Sequence, residues 1–449
     1  MPEPIISVSG LRGIVGESLT PEVAQRYVTA FAAEMPPGPV VISRDGRASG
    51  PMLSEAVSRA LTAVGRDVFD ADVAATPTTG VLVRHLQAAG GVQISASHNP
   101  AEYNGLKLFS AEGRVIPAAT GQRVLDRYRN GPPSAAAQSV GRYERLTDTT
   151  SEHGSLIAST VHVDRIRERR FRVLLDANRG AGSILGAKLL NELGCEVTLL
   201  GGSPDGHFEH TPEPTAENLA GVLAKVTEIG ADIGFCQDPD ADRLAIIDER
   251  GRYLGEEYTL ALCVDHELRR RRGPIVTNCS TSRMSEDLAT KYGVPFYRSA
   301  VGEANVVDVM IARGAVLGGE GNGGVIDPRV GWVRDSFVGM ALVLDAMAAR
   351  SLKVGELSGE LPRYEIVKSK FTVEPAQIPA ALAAIKKRFA DAQADTLDGL
   401  RLDWPGKWLL VRASNTEPIV RAIAEAPTAR EAQLLCSEAA NAVGTLQLP

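Results

Sequence analysis

The sequence predicts an α/β protein, three related α/β domains followed by a smaller C-terminal α+β domain. Three observations carry this reading. The chain has 449 residues, more than one ordinary core accommodates and suited to about three or four domains. A succession of strand, polar loop, helix, glycine and strand occurs three times along it. Beyond about Pro362 a different succession begins.

Ser9-Gly10-Leu11-Arg12-Gly13 stands first, a glycine-flanked arginine free enough to approach a phosphate closely. Thr20-Pro21-Glu22 then opens a helix expected to run to about Met35. The first repeat unit has a strand at Val40 to Ser43, the loop Arg44-Asp45-Gly46-Arg47, a helix from about Pro51 to Val64, Gly65, and a strand at Asp67 to Asp70. The second has Phe171 to Leu175, Asp176-Ala177-Asn178-Arg179-Gly180, a helix from about Ser183 to Leu193, Gly194, and Glu196 to Leu200. The third has Gly273 to Thr277, Asn278-Cys279-Ser280-Thr281-Ser282, a helix from about Arg283 to Lys291, Gly293, and Val294 to Tyr297. Ligands of such sheets gather at the carboxyl ends of strands, so three domains can line one cleft.

The stretch Asn130 to Ser151, rich in Pro, Ala and Ser, reads as the first interdomain connection. Turns near Gly251 and Leu361-Pro362-Arg363 mark two more, which divides the chain into 1–151, 152–252, 253–362 and 363–449. The last part reads as a strand, a helix from about Ile378 to Asp391, strands around Leu400-Arg401-Leu402 and Trp408 to Arg412, and a helix from Ala429.

Gly91 to Ile94 ends a buried strand and breaks into Ser95, Ser97, His98, Asn99 and Pro100, with Asn104-Gly105 just beyond. Ser97 is thereby exposed on a polar loop, with Lys107 arriving as the apolar pattern resumes. That is a way to present a hydroxyl that accepts and surrenders a charged group. A turn in which these side chains only bond their own backbone fits the same residues. No G-x-S-x-G elbow surrounds Ser97, and in extended chain His98 would point to the opposite face from it.

Asp238-Pro239-Asp240-Ala241-Asp242-Arg243 lies between two apolar strand patterns, Ala231 to Cys236 and Leu244 to Asp248. Three carboxylates so close repel one another unless a positive charge compensates them. Oxygen-only donors point to Mg²⁺ rather than zinc. An EF-hand is excluded because Arg243 stands where its loop needs Gly and the flanks are strands. Arg243 could neutralise one carboxylate or contact a phosphate sharing the metal. A solvated acidic turn is the plain alternative.

Gly318-Gly319-Glu320-Gly321-Asn322-Gly323-Gly324 hangs from the strand pattern Ala315 to Leu317, and its carboxylate and amide are groups that grip sugar hydroxyls. In the last domain Arg412-Ala413-Ser414-Asn415-Thr416-Glu417-Pro418 succeeds a strand and precedes Ile419-Val420-Arg421. A guanidinium, two hydroxyls and an amide on one turn make a phosphate cradle.

A formal charge of -7 argues against nucleic acid as the main partner. No apolar stretch approaches the roughly 20 residues of a spanning helix, and no leader pattern opens the sequence. The five scattered cysteines read as small buried hydrophobes in a reducing compartment, so a cytoplasmic location is expected.

Taken in order, SGLRG, SASHNP with YNGLK, DPDADR, GGEGNGG and RASNTEP resemble the motifs of the α-D-phosphohexomutases over essentially the full length. The resemblance implies four domains with mixed sheets around a central cleft. It implies Ser97 as a phosphoserine, Mg²⁺ held by Asp238, Asp240, Asp242 and the seryl phosphate, and transfer through a hexose 1,6-bisphosphate. By resemblance Arg412, Ser414, Asn415 and Thr416 hold the idle phosphate, with Arg243, Asn322 and Arg421 as further substrate contacts. Glu320 reads the sugar, Lys107 and His98 are candidates for proton transfer, and Arg12 assists at the seryl phosphate.

The spacers of DPDADR depart from the DGDGDR of many members, and Asn322-Gly323-Gly324 replaces a Ser-Gly-His. Val301-Gly302-Glu303-Ala304-Asn305 with GGEGNGG looks like the archaeal-type phosphoglucosamine mutases, so Glu303 or Glu320 could pair with a substrate ammonium. The partners expected are hexose phosphates, on a monomer or homodimer. Phosphoglucomutase or phosphomannomutase activity, a metal-dependent sugar phosphatase and a non-catalytic sugar-phosphate-binding protein are the alternatives.

Overall fold

The computed structural model describes residues 3–7, 9–131, 139–413 and 419–444. The three recurring units share one topology. In the first, Val40–Arg44 is flanked in parallel by Val68–Val73 and Gly90–Ile94, and Tyr103–Ser110 returns antiparallel beside Gly90–Ile94. In the second, Arg172–Asp176 is flanked in parallel by Glu196–Leu200 and Ile233–Gln237, with Leu244–Ile247 antiparallel at the edge. In the third, Ile275–Asn278 is flanked in parallel by Phe296–Ser299 and Leu317–Glu320, with Gly324–Ile326 antiparallel.

Each unit therefore has four strands in spatial order 4-3-1-2, a mixed sheet built by two strand-helix-strand crossovers and one hairpin. The first sheet is extended to seven strands by Ile5–Ser7 and Gly10–Ile14 on one edge and Tyr143–Arg145 on the other. The C-terminal domain is an antiparallel five-stranded sheet in the order Glu365–Thr372, Ile419–Ala426, Lys407–Ala413, Leu400–Trp404, Gln393–Asp395, packed on the helices Ile378–Arg388 and Ala429–Gly444.

The second and third units are not separate cores. The helix Ser336–Arg350 is buried on every side from Ser336 to Ala348 and joins their apolar interiors into one. A helix with no polar face has no 3.6-residue contrast, so the sequence carries no periodic signal for it. Inside it, buried Asp345 accepts from His266 Nε2 (2.9 Å), Arg270 (3.0 Å) and Arg165 (2.6 Å), which ties the two units by charge as well. Among the described residues no helix is long and apolar enough to cross a membrane.

Several expected boundaries shift. The first helix spans Pro21–Ala32 and stops short of Met35. The strand expected at Val294 to Tyr297 is Phe296–Ser299. The glycine-rich stretch is mostly strand: Gly318, Gly319 and Glu320 lie in Leu317–Glu320, leaving residues 321–323 as a tight hairpin turn.

Candidate active site

The topology places the chemistry. In each unit the hairpin between the third and fourth strands carries one of the motifs: residues 95–102 in the first, 238–243 in the second and 321–323 in the third. The polar loops after the first strands lie at the same carboxyl edge, because first and third strands are parallel, and they buttress the hairpins.

Ser97 is held from behind. Its backbone takes φ +50, a left-handed conformation uncommon for a residue with a side chain. Fully buried Arg47 donates to the carbonyl oxygens of Ser97 (2.7 Å), Asn99 (2.6 Å), Pro100 (2.5 Å) and Tyr103 (2.9 Å). Asp45 orients Arg47 through Nε (3.0 Å) and accepts from Ser95 Oγ (2.7 Å), whose oxygen in turn accepts the Ser97 N–H (2.9 Å). Because Ser97 is not extended, the expectation that His98 points away from it fails: Ser97 Oγ lies 3.3 Å from His98 Nδ1. Burial, with Arg243 and Arg12 nearby, pushes the His98 imidazolium down to about 3.

Ser97 Oγ donates to Asp238 Oδ2 at 2.7 Å. The three carboxylates are fully buried, with one oxygen of each within 4.8 Å of the others. Lys107 donates to Asp240 (3.0 Å) and Asp242 (2.9 Å), Thr76 Oγ1 to Asp240 (2.5 Å), and Arg334 to Asp242 (2.7 Å). Burial and the two neighbouring carboxylates drive Asp238 well above the ordinary range. Burial opposes ionisation of Asp240 and Asp242 as well, but Lys107 and Thr76 at the first, and Arg334 with Lys107 at the second, outweigh it and hold both low.

Arg243, expected either to neutralise a carboxylate or to contact a phosphate sharing the metal, caps Asp238 Oδ1 with its backbone N–H (3.2 Å), while its Nε stands 3.9 Å from Asp242 and has no hydrogen-bond partner. Asp240 Oδ1 and Asp242 Oδ1 are also buried without partners. An all-oxygen, acidic donor set with two free oxygens fits Mg²⁺.

Beside this centre opens a cavity of about 890 Å³ lined by residues of all four domains, with His98, Lys107 and Arg243 of the centre on its wall. Ser97, expected as an exposed hydroxyl, is instead buried, because its loop packs against Arg47 and Asp238. Arg12, His98, Lys107, Arg243, Glu303, Glu320, Asn322, Arg412 and Arg421 all line it. Arg12 reaches Asn99 Oδ1 at 3.1 Å. Ser414, Asn415 and Thr416 lie outside the described residues.

Glu303 and Glu320 converge on Arg334, which no sequence motif flagged: its Nε donates to Glu303 (2.7 Å) and its Nη1 lies 2.9 Å from Glu320. Glu320 is saturated, since its other oxygen accepts from Asn278 (2.7 Å) and Gly302 N–H (3.1 Å). Glu303 keeps one buried oxygen without a partner.

On the opposite wall, Arg412 stands directly across from Arg421, and Arg421 across from Lys370, on three adjacent strands. Like charges opposite one another repel, which an anion between them would relieve; Arg412 is partly compensated already, donating through Nε to Asp398 (3.2 Å). Lys368, two residues from Lys370 and therefore on the same strand face, adds a fourth cation to the cavity. The Lys-x-Lys spacing was the available signal for both.

Four family models match successive stretches of the chain. The models of phosphoglucomutase/phosphomannomutase alpha/beta/alpha domains I, II and III match residues 5–133, 152–251 and 256–364, and the C-terminal domain model matches 367–442. A Thermococcus kodakarensis protein named "Phosphoglucomutase/phosphomannomutase" is 37% identical over 435 residues, 94% of this chain and 95% of its own. A Methanopyrus kandleri protein named "Probable phosphoglucosamine mutase" is 33% identical over 441 residues, 96% of this chain and 95% of its own.

Among solved structures, a phosphoglucomutase/phosphomannomutase family protein from Burkholderia thailandensis superposes with a TM-score of 0.81 at 27% identity, covering 98% of each chain. The N-acetylphosphoglucosamine mutase of Aspergillus fumigatus, solved with GlcNAc-6P and magnesium, shares the fold at a TM-score of 0.58 and 17% identity, over 94% of this chain and 98% of its own.

Proposed function

Because the chain belongs to the phosphoglucomutase/phosphomannomutase family, we propose that it moves a phosphoryl group between the 6 and 1 positions of a hexose, with glucosamine 6-phosphate as the substrate and glucosamine 1-phosphate as the product. The observation that carries the reaction is the 2.7 Å bond from Ser97 Oγ to Asp238, beside two carboxylates with unfilled oxygens.

Asp238, Asp240 and Asp242 would hold Mg²⁺ together with the seryl phosphate. When bound, the ion offsets charge on the transferring group. In the forward half, the bond from phosphorus to Ser97 Oγ breaks, a bond to the sugar hydroxyl forms, and the hydroxyl proton passes to a neighbouring base. The bisphosphate then reverses in the cavity, and Ser97 Oγ takes the other phosphoryl group. His98 is the residue whose ring nitrogen already reaches Ser97 Oγ, and Arg12 beside Asn99 faces the same phosphate. The row Arg412, Arg421 and Lys370 holds whichever phosphate is idle, together with Ser414, Asn415 and Thr416. The cavity is large enough for a hexose bisphosphate to turn.

Glucosamine is favoured by the five acidic side chains of the cleft wall, Glu213, Glu256, Glu257, Glu303 and Glu320. A neutral-sugar reading is favoured by the higher identity to the T. kodakarensis relative and by Arg334, which already compensates Glu303 and Glu320. Five buried free thiols suit a reducing, cytoplasmic setting, and a monomer or homodimer is sufficient for a site built within one chain. The test is a panel of glucosamine, glucose and mannose 1-phosphates assayed with catalytic sugar 1,6-bisphosphate, with and without chelator. Faster turnover of a neutral sugar rejects the glucosamine assignment; turnover unaffected by chelation rejects the metal-assisted transfer.

A further inference from the structure

Among the acidic side chains of the cleft wall, Glu257 stands apart by its place against the glycine hairpin. Glu257 lies in the first turn of the helix Glu256–Arg270 and lines the cavity beside Gly321. The Ser282 N–H donates to its Oε2 at 2.9 Å, which fixes where the carboxyl points. It points into the glycine hairpin: a Cβ built on Gly321 would fall on both Glu257 carboxylate oxygens. Gly321 is not among the residues with positive φ, so its backbone would tolerate a side chain. Space forbids one, because Glu257 already fills it. The carboxyl stands where a residue at 321 would project, between Glu320 and Asn322.

Glu257 also differs from the other two candidate sugar readers. Glu303 and Glu320 share the cation Arg334, whereas no cation lies within ion-pair distance of Glu257 among the described residues. Burial pushes its carboxyl up to about 8, against the Ser282 N–H and with Glu425 adding to the rise. A carboxyl kept protonated because burial outweighs nearby Lys368 can release that proton and ionise when a ligand brings an ammonium into contact with it.

Resting on the mutase reading above, we propose that Glu257 is the specificity-determining residue of the sugar loop, pairing with the amino group of a 2-amino-hexose phosphate. It does so in place of a side chain at 321, and it takes the role that the motif resemblance assigns to Glu303 or Glu320. Neutral hexose phosphates offer the same carboxyl only a hydroxyl, which forms a weaker bond.

The experiment compares kcat/KM for glucosamine, glucose and mannose 1-phosphates in the parent, Glu257→Gln and Gly321→Ser, with labelling of Ser97 by sugar bisphosphate as a parallel readout. Glu257→Gln keeps shape and hydrogen bonding while removing the charge. It is expected to lose at least about tenfold more on glucosamine 1-phosphate than on either neutral sugar. Gly321→Ser, which drives the carboxyl out of the loop, is expected to shift the ratio the same way. Equal losses on all three sugars, or an unchanged ratio in both variants, overturns the assignment. A parent that labels Ser97 but isomerises none of the three sugars defeats the mutase reading itself, a separate result.

Discussion

Ser97 Oγ and Asp238 Oδ2, 141 positions apart in the chain, lie 2.7 Å apart in the fold. Two hairpins from different domains must meet for this to happen. The joint between them is the pair of bonds from Thr76 to Asp240, its N–H to the Asp240 carbonyl (2.9 Å) and its hydroxyl to the carboxylate (2.5 Å). Ser97→Ala should abolish turnover, a loss of more than about 10³-fold, and all incorporation of label from a sugar bisphosphate, while circular dichroism and Tm stay close to the parent. Residual labelling at another side chain would remove Ser97 from its role.

Arg47 supports the strained turn without touching substrate. A lysine ammonium in its place keeps a charge but has only three donors for the four backbone carbonyls and Asp45 that the guanidinium serves. Arg47→Lys should lower stability by roughly 2–4 kcal/mol. At a temperature where the variant remains folded, it should lower kcat and the rate of Ser97 labelling by at least about tenfold with KM little changed. A variant that loses stability but labels at the parent rate would make Arg47 a purely structural residue.

Lys370 lines the cavity opposite Arg421 and next to the Arg412 row, and on the proposed reading it would contact the idle phosphate in both ground and transition states. Binding that is uniform in this way is expressed in KM. Lys370→Ala should raise KM about fivefold to tenfold and leave kcat within about twofold, by steady-state kinetics. A fall in kcat at unchanged KM would place Lys370 at the reacting phosphate.

Glu257 makes stability depend on pH in a definite direction. Its carboxyl titrates at about 8 in the fold and near the ordinary carboxylate value when unfolded. The folded state therefore binds the proton more tightly, and the stability this contributes is complete below about pH 4.5 and lost as pH rises towards 8. Between those limits the parent should lose up to about 1.4 kcal/mol per pH unit relative to Glu257→Gln. Thermal unfolding at pH 5, 6, 7 and 8 measures this, and parallel Tm profiles for parent and variant would show that the carboxyl ionises freely in the fold.

Much of the architecture was legible from local signals. The three strand-loop-helix-glycine-strand units and the distinct α+β tail come from apolar periodicity and glycine stops, and the strand at Glu196–Leu200 was placed to the residue. The motif residues were legible too, because a hydroxyl, a run of alternate carboxylates and a polar turn are dense in chemistry. The buried helix Ser336–Arg350, which lacks amphipathic contrast, was not legible. Neither was Arg334, a lone arginine in an ordinary stretch until three carboxylates from elsewhere converge on it.

The sequence by itself determined which residue types could carry phosphoryl transfer and in which short loops they lie, since these are properties of short segments. Only the tertiary structure decided the partners: that Lys107 and Arg334 hydrogen-bond the aspartates while Arg243 stands 3.9 Å from Asp242, that Ser97 adopts a left-handed turn beside His98, and that Glu257 occupies the space above Gly321. The reason is that charge compensation and burial act through space. A chain of several domains brings together groups whose separation along the sequence carries no record of their contact.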